Sequence, residues 1–152
     1  FNLKDNTGVF EGNVTVTRDQ TEIIATSMEG DFDEELYQFS GDVILKKERE
    51  EETGTSTIIW KAPTLTYNGE TEEARSENGS DIVWKETTIK TDRAVYFPKD
   101  DEKNQLERIE MEGEILITEK ERELQVGKAV YYLDSETLEA EKIIKAKFIL
   151  GD

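Results

Sequence analysis

Three stretches of the chain share one alternation of apolar and polar positions. Phe10 to Val16 (FEGNVTV), Phe39 to Leu45 (FSGDVIL) and Met111 to Ile117 (MEGEILI) each put an apolar residue, a glycine and two more apolar residues at every second position. A period of two sends successive side chains to opposite faces, so each stretch predicts a strand with one buried face. The glycine falls on that face, where missing bulk lets a strand bend sharply or another layer approach. A fourth copy, GSDIVW from Gly79 to Trp84, carries Ile82 and Trp84 one residue out of phase and predicts the same unit with a local bulge. Glycines 12, 41, 79 and 113 lie 29, 38 and 34 residues apart, the spacing of one supersecondary unit per repeat.

A second motif follows each glycine: IIATSM, WKAPTLTY, IKTDRAVY and LQVGKAVY, which stack on Ala25, Ala62, Thr91 and Val126. Here the alternation slips by one. Trp60 and Ala62 give way to Leu65 and Tyr67, Ile89 and Thr91 to Ala94 and Tyr96, and Leu124 and Val126 to Ala129, Tyr131 and Leu133. A phase slip that recurs at one place in each unit predicts a recurrent bulge. Asn68-Gly69 and Asn78-Gly79 predict the positive φ of tight turns, Pro98 to Asp101 predicts the close of the third unit, and KEREEETGTS, Lys47 to Ser56, predicts a solvated hairpin tip. Thr, Val, Ile and Tyr dominate the periodic stretches, which favours strand over helix throughout. The expected fold is all-β: one domain over residues 1–152, a curved antiparallel β-jellyroll of about four stacked, bent hairpin repeats, open at both ends.

Composition narrows the chemistry. Thirty-six acidic against 19 basic side chains give a net charge of −17, which disfavours nucleic acid and anionic membranes as partners. The bland account of that excess, a solubilising β-protein surface, stands ahead of any acidic site. With no His and no Cys, imidazole acid–base chemistry, Cys or Ser-His nucleophiles and Cys/His zinc sites are not available. Asp31, Asp33 and Glu35 imitate the start of a calcium loop, but Leu36 stands where that loop needs glycine, so turn chemistry is expected there and no metal or cofactor is assigned. Glu34, Glu35, Asp100 and Asp101 could pair as in a glycosidase, yet nothing in the pattern puts them beside a cleft. An enzyme is not expected.

The unit apolar-x-Gly-Asn-Val-x-Val, followed about 13 residues on by an apolar-x-Ala-x-x-Ala-Val-x-Tyr strand, resembles the OstA-like repeat of periplasmic lipopolysaccharide-transport proteins. GNVTV at Gly12 to Val16 and TDRAVY at Thr91 to Tyr96 match best, and the resemblance runs from Phe10 to about Ile143; Pro63, Gly127, Trp60 and Trp84 depart from it. The resemblance implies a periplasmic carrier whose interior shields the acyl chains of lipopolysaccharide or another acylated lipid on the way to the outer membrane. It also implies like-folded transport partners.

Apolar burial alone makes such an interior plausible, since each acyl methylene removed from water contributes roughly 0.8 kcal/mol. Trp60, Trp84, Tyr67, Tyr96, Phe39, Met111, Ile115 and Tyr131 are the candidate lining residues, with Lys46, Lys61, Lys85, Lys90 or Arg93 near the mouth. For any one apolar residue, ordinary core competes with that role. Phe1 and Leu3 at one end, and Phe148, Ile149 and Leu150 at the other, predict uncapped edges that pair with a partner or with a second copy. A structural or adhesive β-repeat module with a dry interior is the alternative to lipid carriage, and a carboxylate-based carbohydrate enzyme stands behind both.

Overall fold

The structure, a computed structural model, describes residues 1–151. Ten strands form one antiparallel sheet: β1 (Thr7–Arg18), β2 (Thr21–Asp31), β3 (Leu36–Glu51), β4 (Gly54–Asn68), β5 (Ala74–Ser76), β6 (Ser80–Trp84), β7 (Thr87–Phe97), β8 (Arg108–Glu119), β9 (Arg122–Tyr132) and β10 (Thr137–Phe148). Neighbours in sequence are neighbours in the sheet, with β5 and β6 together filling the place between β4 and β7. No helix occurs among the described residues. The expected all-β jellyroll is the observed architecture.

A sheet with no second layer can bury one face only by folding on itself. The fold line is written into the register. Gly12 and Asn13 lie opposite the single residue Thr26, Gly41 and Asp42 opposite Pro63, and Gly113 and Glu114 opposite Gly127. Each glycine adopts a left-handed φ, between 82° and 104°, which only a residue without Cβ takes at little cost. The partner strand slips phase at the same point, so that Trp60 and Ala62 but then Leu65 and Tyr67 are buried, as are Thr91 then Ala94, and Val126 then Ala129. The expected slip is therefore the inner half of a corner whose outer half is the glycine bulge.

The fourth copy differs from expectation. The strand does not bulge at Gly79; it breaks into β5 and β6, and Glu77 to Gly79 bridge the corner with Gly79 at φ 96°. The apparent phase error is that break, because Ser76 and Ser80, not Gly79, hold the inward positions. Strand β10 crosses the fold line too, with Lys142 at φ 57° in the glycine's place, packed over Gly127. Asn68 and Gly69 do not supply positive φ: that turn takes it at Glu72, and Asn68 Oδ1 accepts from the N–H groups of Glu70 and Thr71. Asp31 acts in the same way for Asp33 and Glu34.

Folding along this line creates two arms. The first ends at the turns after β2, β4, β7 and β9, the second at the turns after β1, β3, β6 and β8. Their facing sides make one core containing Met28, Phe39, Leu65 and Met111 from the first arm and Ile23, Leu45, Trp60, Ile82 and Ile117 from the second. β1 and β10 are the two edges. Phe1 to Leu3 do not form the N-terminal edge as expected. Asn2 bridges back onto Thr7, and the Phe1 ring packs on Phe10 and Phe32, so this segment partly covers β1.

The corner glycines are not equivalent. A Cβ at Gly41 would stand 2.6 Å from Thr26 Cβ, whereas one at Gly12, on the edge strand, meets nothing. Gly41→Ala is expected to lower unfolding free energy by about 2–4 kcal/mol, from backbone strain of about 1–3 kcal/mol with a clash added, and Gly12→Ala by the strain alone. Urea unfolding of both variants checks the difference; equal losses would contradict a continuous, contacted fold line.

Candidate functional site: the interior and its mouth

All eight candidate lining residues face the interior, and all are buried, none more than 6% exposed. Trp60 and Trp84 do not stand proud at the bends. Both pack fully, because each indole N–H finds a hydroxyl: Trp60 Nε1 donates to Ser80 Oγ at 2.8 Å and Trp84 Nε1 to Ser56 Oγ at 3.0 Å. Phe39, Met111 and Ile115 lie toward the fold line, and Tyr67, Tyr96 and Tyr131 lie toward the free ends of the first arm. The interior is thus continuous, apolar and packed.

A pronounced external concavity lies elsewhere. A groove of about 1390 Å³ follows the fold line, where Asp42, Lys61, Asp81, Lys90, Asp92 and Glu114 are exposed. Its four carboxylates outnumber its two lysines, and nothing in the lining converges on a common point. Lys46, Lys61, Lys90 and Arg93, expected near the mouth, are exposed on the outer face instead, and only Lys85 reaches the mouth.

The mouth, where the tips of the two arms meet, is polar and spanned by ion pairs. Arg49 on β3 is buried; its Nε and Nη2 donate to Glu107 Oε1 at 2.8 and 2.6 Å, and Nη2 also donates to Asp134 Oδ1 at 3.0 Å. Both carboxylates belong to the first arm. Glu51 accepts from Arg49 Nη1 at 2.8 Å and from Lys85 at 3.0 Å, and Lys85 reaches across to Glu136 at 3.2 Å. The Tyr96 hydroxyl donates to the other Glu107 oxygen at 2.5 Å. Arg18 pairs with Glu35 at 2.5 Å at the N-terminal side of the same seam. Arg49 and Lys85 both lie over the Trp84 ring, Lys47 lies over Tyr96, and Trp84 meets Tyr131 edge to face.

Burial pulls the Arg49 guanidinium down, but its bonds to Glu107 and the surrounding carboxylates more than offset this and leave it raised. Burial, with Glu107 adding to it, pushes the Tyr96 phenol far up. Burial likewise pushes Tyr67 up to about 12. The Tyr67 hydroxyl points toward Thr21 without forming a well-aligned bond and is left without a partner.

Lys47, Arg49 and Glu51 were not expected here. They continue the inward parity of Val43 and Leu45, and β3 and β4 stay paired as far as Glu51 and Gly54, so the solvated tip shrinks to Glu52 and Thr53. The parity was legible, but the charge run masked it. Glu35 is engaged with Arg18, and Asp100 accepts from the N–H groups of Glu102 and Lys103 within its turn.

A raised tyrosine contributes stability that is fully present below its unfolded value of about 10 and is lost as pH rises through its folded value. Tyr67 therefore predicts a loss between about pH 10 and about pH 12, with Tyr37, Tyr96 and Tyr131 acting in the same direction. Tyr67→Phe, which removes an unpartnered buried hydroxyl, is expected to leave neutral-pH stability unchanged or raise it by up to about 1 kcal/mol, and to shrink the alkaline loss. Denaturant midpoints at neutral and alkaline pH measure both.

No family model and no curated protein matches this sequence. Among solved structures, the chain is similar to the crystal structure of LptH, the LptA-homologous periplasmic component of the conserved lipopolysaccharide transport device from Pseudomonas aeruginosa. The two superpose with a TM-score of 0.64 at 14% identity, over 87% of this chain and 95% of that one. The likeness is one of fold: ten antiparallel strands, bent along one line, make the β-jellyroll of that transport component.

Proposed function

We propose that this chain is a periplasmic carrier that holds the acyl chains of lipopolysaccharide, or of another acylated lipid, between its two arms during transport to the outer membrane. The observation that carries this is an unbroken inward apolar face, from Phe10 and Val16 near one edge to Leu138 and Ala140 near the other, in the fold of a lipopolysaccharide-transport component. Carriage needs no catalyst, and the side chains of the mouth bind and position rather than react. Trp60, Trp84, Tyr67, Tyr96, Phe39, Met111, Ile115 and Tyr131 are the proposed lining.

Transfer between carriers would proceed along the sheet edges. At the C-terminal edge Ile143, Ile144, Phe148, Ile149 and Leu150 are exposed. The Ile149 N–H already donates to Glu121 O at 2.8 Å, so in an antiparallel ladder the outward-facing backbone groups fall at Ala146 and Phe148. We propose that this edge takes a second copy or a like-folded partner by strand addition, with β1 as its counterpart beyond the segment covered by Asn2.

One observation favours the alternative, a structural module with a dry interior: the inward side chains from β2 to β9 are packed against one another. Native mass spectrometry of protein purified from an outer-membrane-bearing host separates the two. Carriage predicts a lipid-bound mass together with dimers that Ala146→Pro diminishes by removing an edge donor. A lipid-free mass, with photo-crosslinkers at Trp84 and Tyr96 capturing nothing from the host envelope, would leave the structural module as the account.

A further inference from the structure

The ion pairs of the mouth divide unequally between the arms. Parting the arms would leave Lys47, Arg49 and Lys85 on the second arm with one carboxylate, Glu51, among them. Glu107, Asp134 and Glu136 would leave with the first arm. The closed seam is therefore two lips of opposite charge pressed together. The second-arm lip joins two cations to an apolar surface, since Arg49 and Lys85 flank the Trp84 ring at 5.1 and 4.7 Å and Ile58 pairs with Trp84 in the sheet. That combination suits one kind of molecule: an acidic head on an apolar tail.

We infer that Arg49 and Lys85, with Lys47 beside them, form a head-group seat for an anionic amphiphile, which Glu107 and Asp134 occupy while the mouth is shut. The inference rests on the carrier function proposed above and adds the head-group chemistry and the means of closure. An incoming phosphate or carboxylate takes the carboxylates' place on the guanidinium, and the tail follows into the interior as the arms part. Exchange of one oxyanion for another keeps the buried guanidinium paired, whereas opening without an anionic ligand would strand it. A neutral amphiphile lacks that exchange and must open the seam against the full ion-pair network.

The test uses Trp emission, with Trp84 beside the seat, during titration with dodecyl phosphate, dodecyl maltoside and inorganic phosphate, each below micelle formation. The wild type is expected to bind dodecyl phosphate more tightly than the maltoside. Glu107→Gln is expected to tighten dodecyl phosphate by about tenfold, the equivalent of one charge-assisted hydrogen bond, and to change the maltoside far less. Arg49→Met together with Glu107→Gln, which leaves no stranded buried charge, is expected to stay folded by far-UV circular dichroism and to abolish the preference. Equal binding of the two amphiphiles in all variants would overturn the seat and leave lipid carriage standing. Inorganic phosphate that matches dodecyl phosphate would overturn it as well, by showing an anion site without a tail. Binding of neither amphiphile to any variant would overturn both the seat and the carrier function.

Discussion

The whole structure depends on a single sheet having to cover its own apolar face. No second layer is present among the described residues, so alternation along each strand becomes a core only if every strand bends at the same place. One strand that ran straight would push the arms apart for its neighbours. The bend is therefore repeated as geometry rather than as identity: a left-handed glycine in β1, β3 and β8, a break at Gly79, and Lys142 in β10. The side chains of Thr26 and Asp92 close over Gly41 and Gly113, so neighbouring strands hold one another at the corner.

A fold of this kind leaves the far ends of the arms without backbone bonds between them, because each arm's ladder runs along its own strands. Side chains must close that side. The chain carries 36 acidic residues against 19 basic ones, yet it places Arg18, Arg49 and Lys85 across the seam, each against carboxylates of the opposite arm. Exposed pairs such as Arg18–Glu35 contribute little, while a buried Arg49 bonded to Glu107 fixes how the tips register. The apolar interior resists separation along its whole length, and the mouth adds a polar, exchangeable contact. Two kinds of chemistry thus hold the arms together, apolar burial along their length and ion pairs at their tips.

Much of this was legible in the sequence. The parity of Phe39, Val43 and Leu45, and the slip between Ala62 and Leu65, specify strand faces and corners without any structural knowledge, because period two leaves few alternatives. Gly79 misled because a broken strand and a bulged strand give the same one-residue phase error. Asn68-Gly69 misled because a tight-turn dipeptide can sit in a longer turn whose positive φ falls on Glu72. The mouth was the least legible part. Lys47, Arg49 and Glu51 follow the inward parity, but their charge signals solvent unless their partners are known, and Glu107 and Asp134 lie 58 and 85 residues away from Arg49. Sequence periodicity locates faces; it does not reveal which charged tips meet when the sheet folds.

The proposed carriage requires that the arms part at the mouth to admit cargo. A cysteine-free chain allows spin labels to be placed without background, at Thr53→Cys on the second arm's tip and Ser135→Cys on the first, both exposed and flanking the Arg49–Asp134 contact. Double electron–electron resonance then reads the distance across the seam directly. A narrow distribution without ligand is expected to move to longer distance with lipopolysaccharide. A distribution that stays the same while lipopolysaccharide is bound would contradict that requirement, because cargo would then be held without the arms opening.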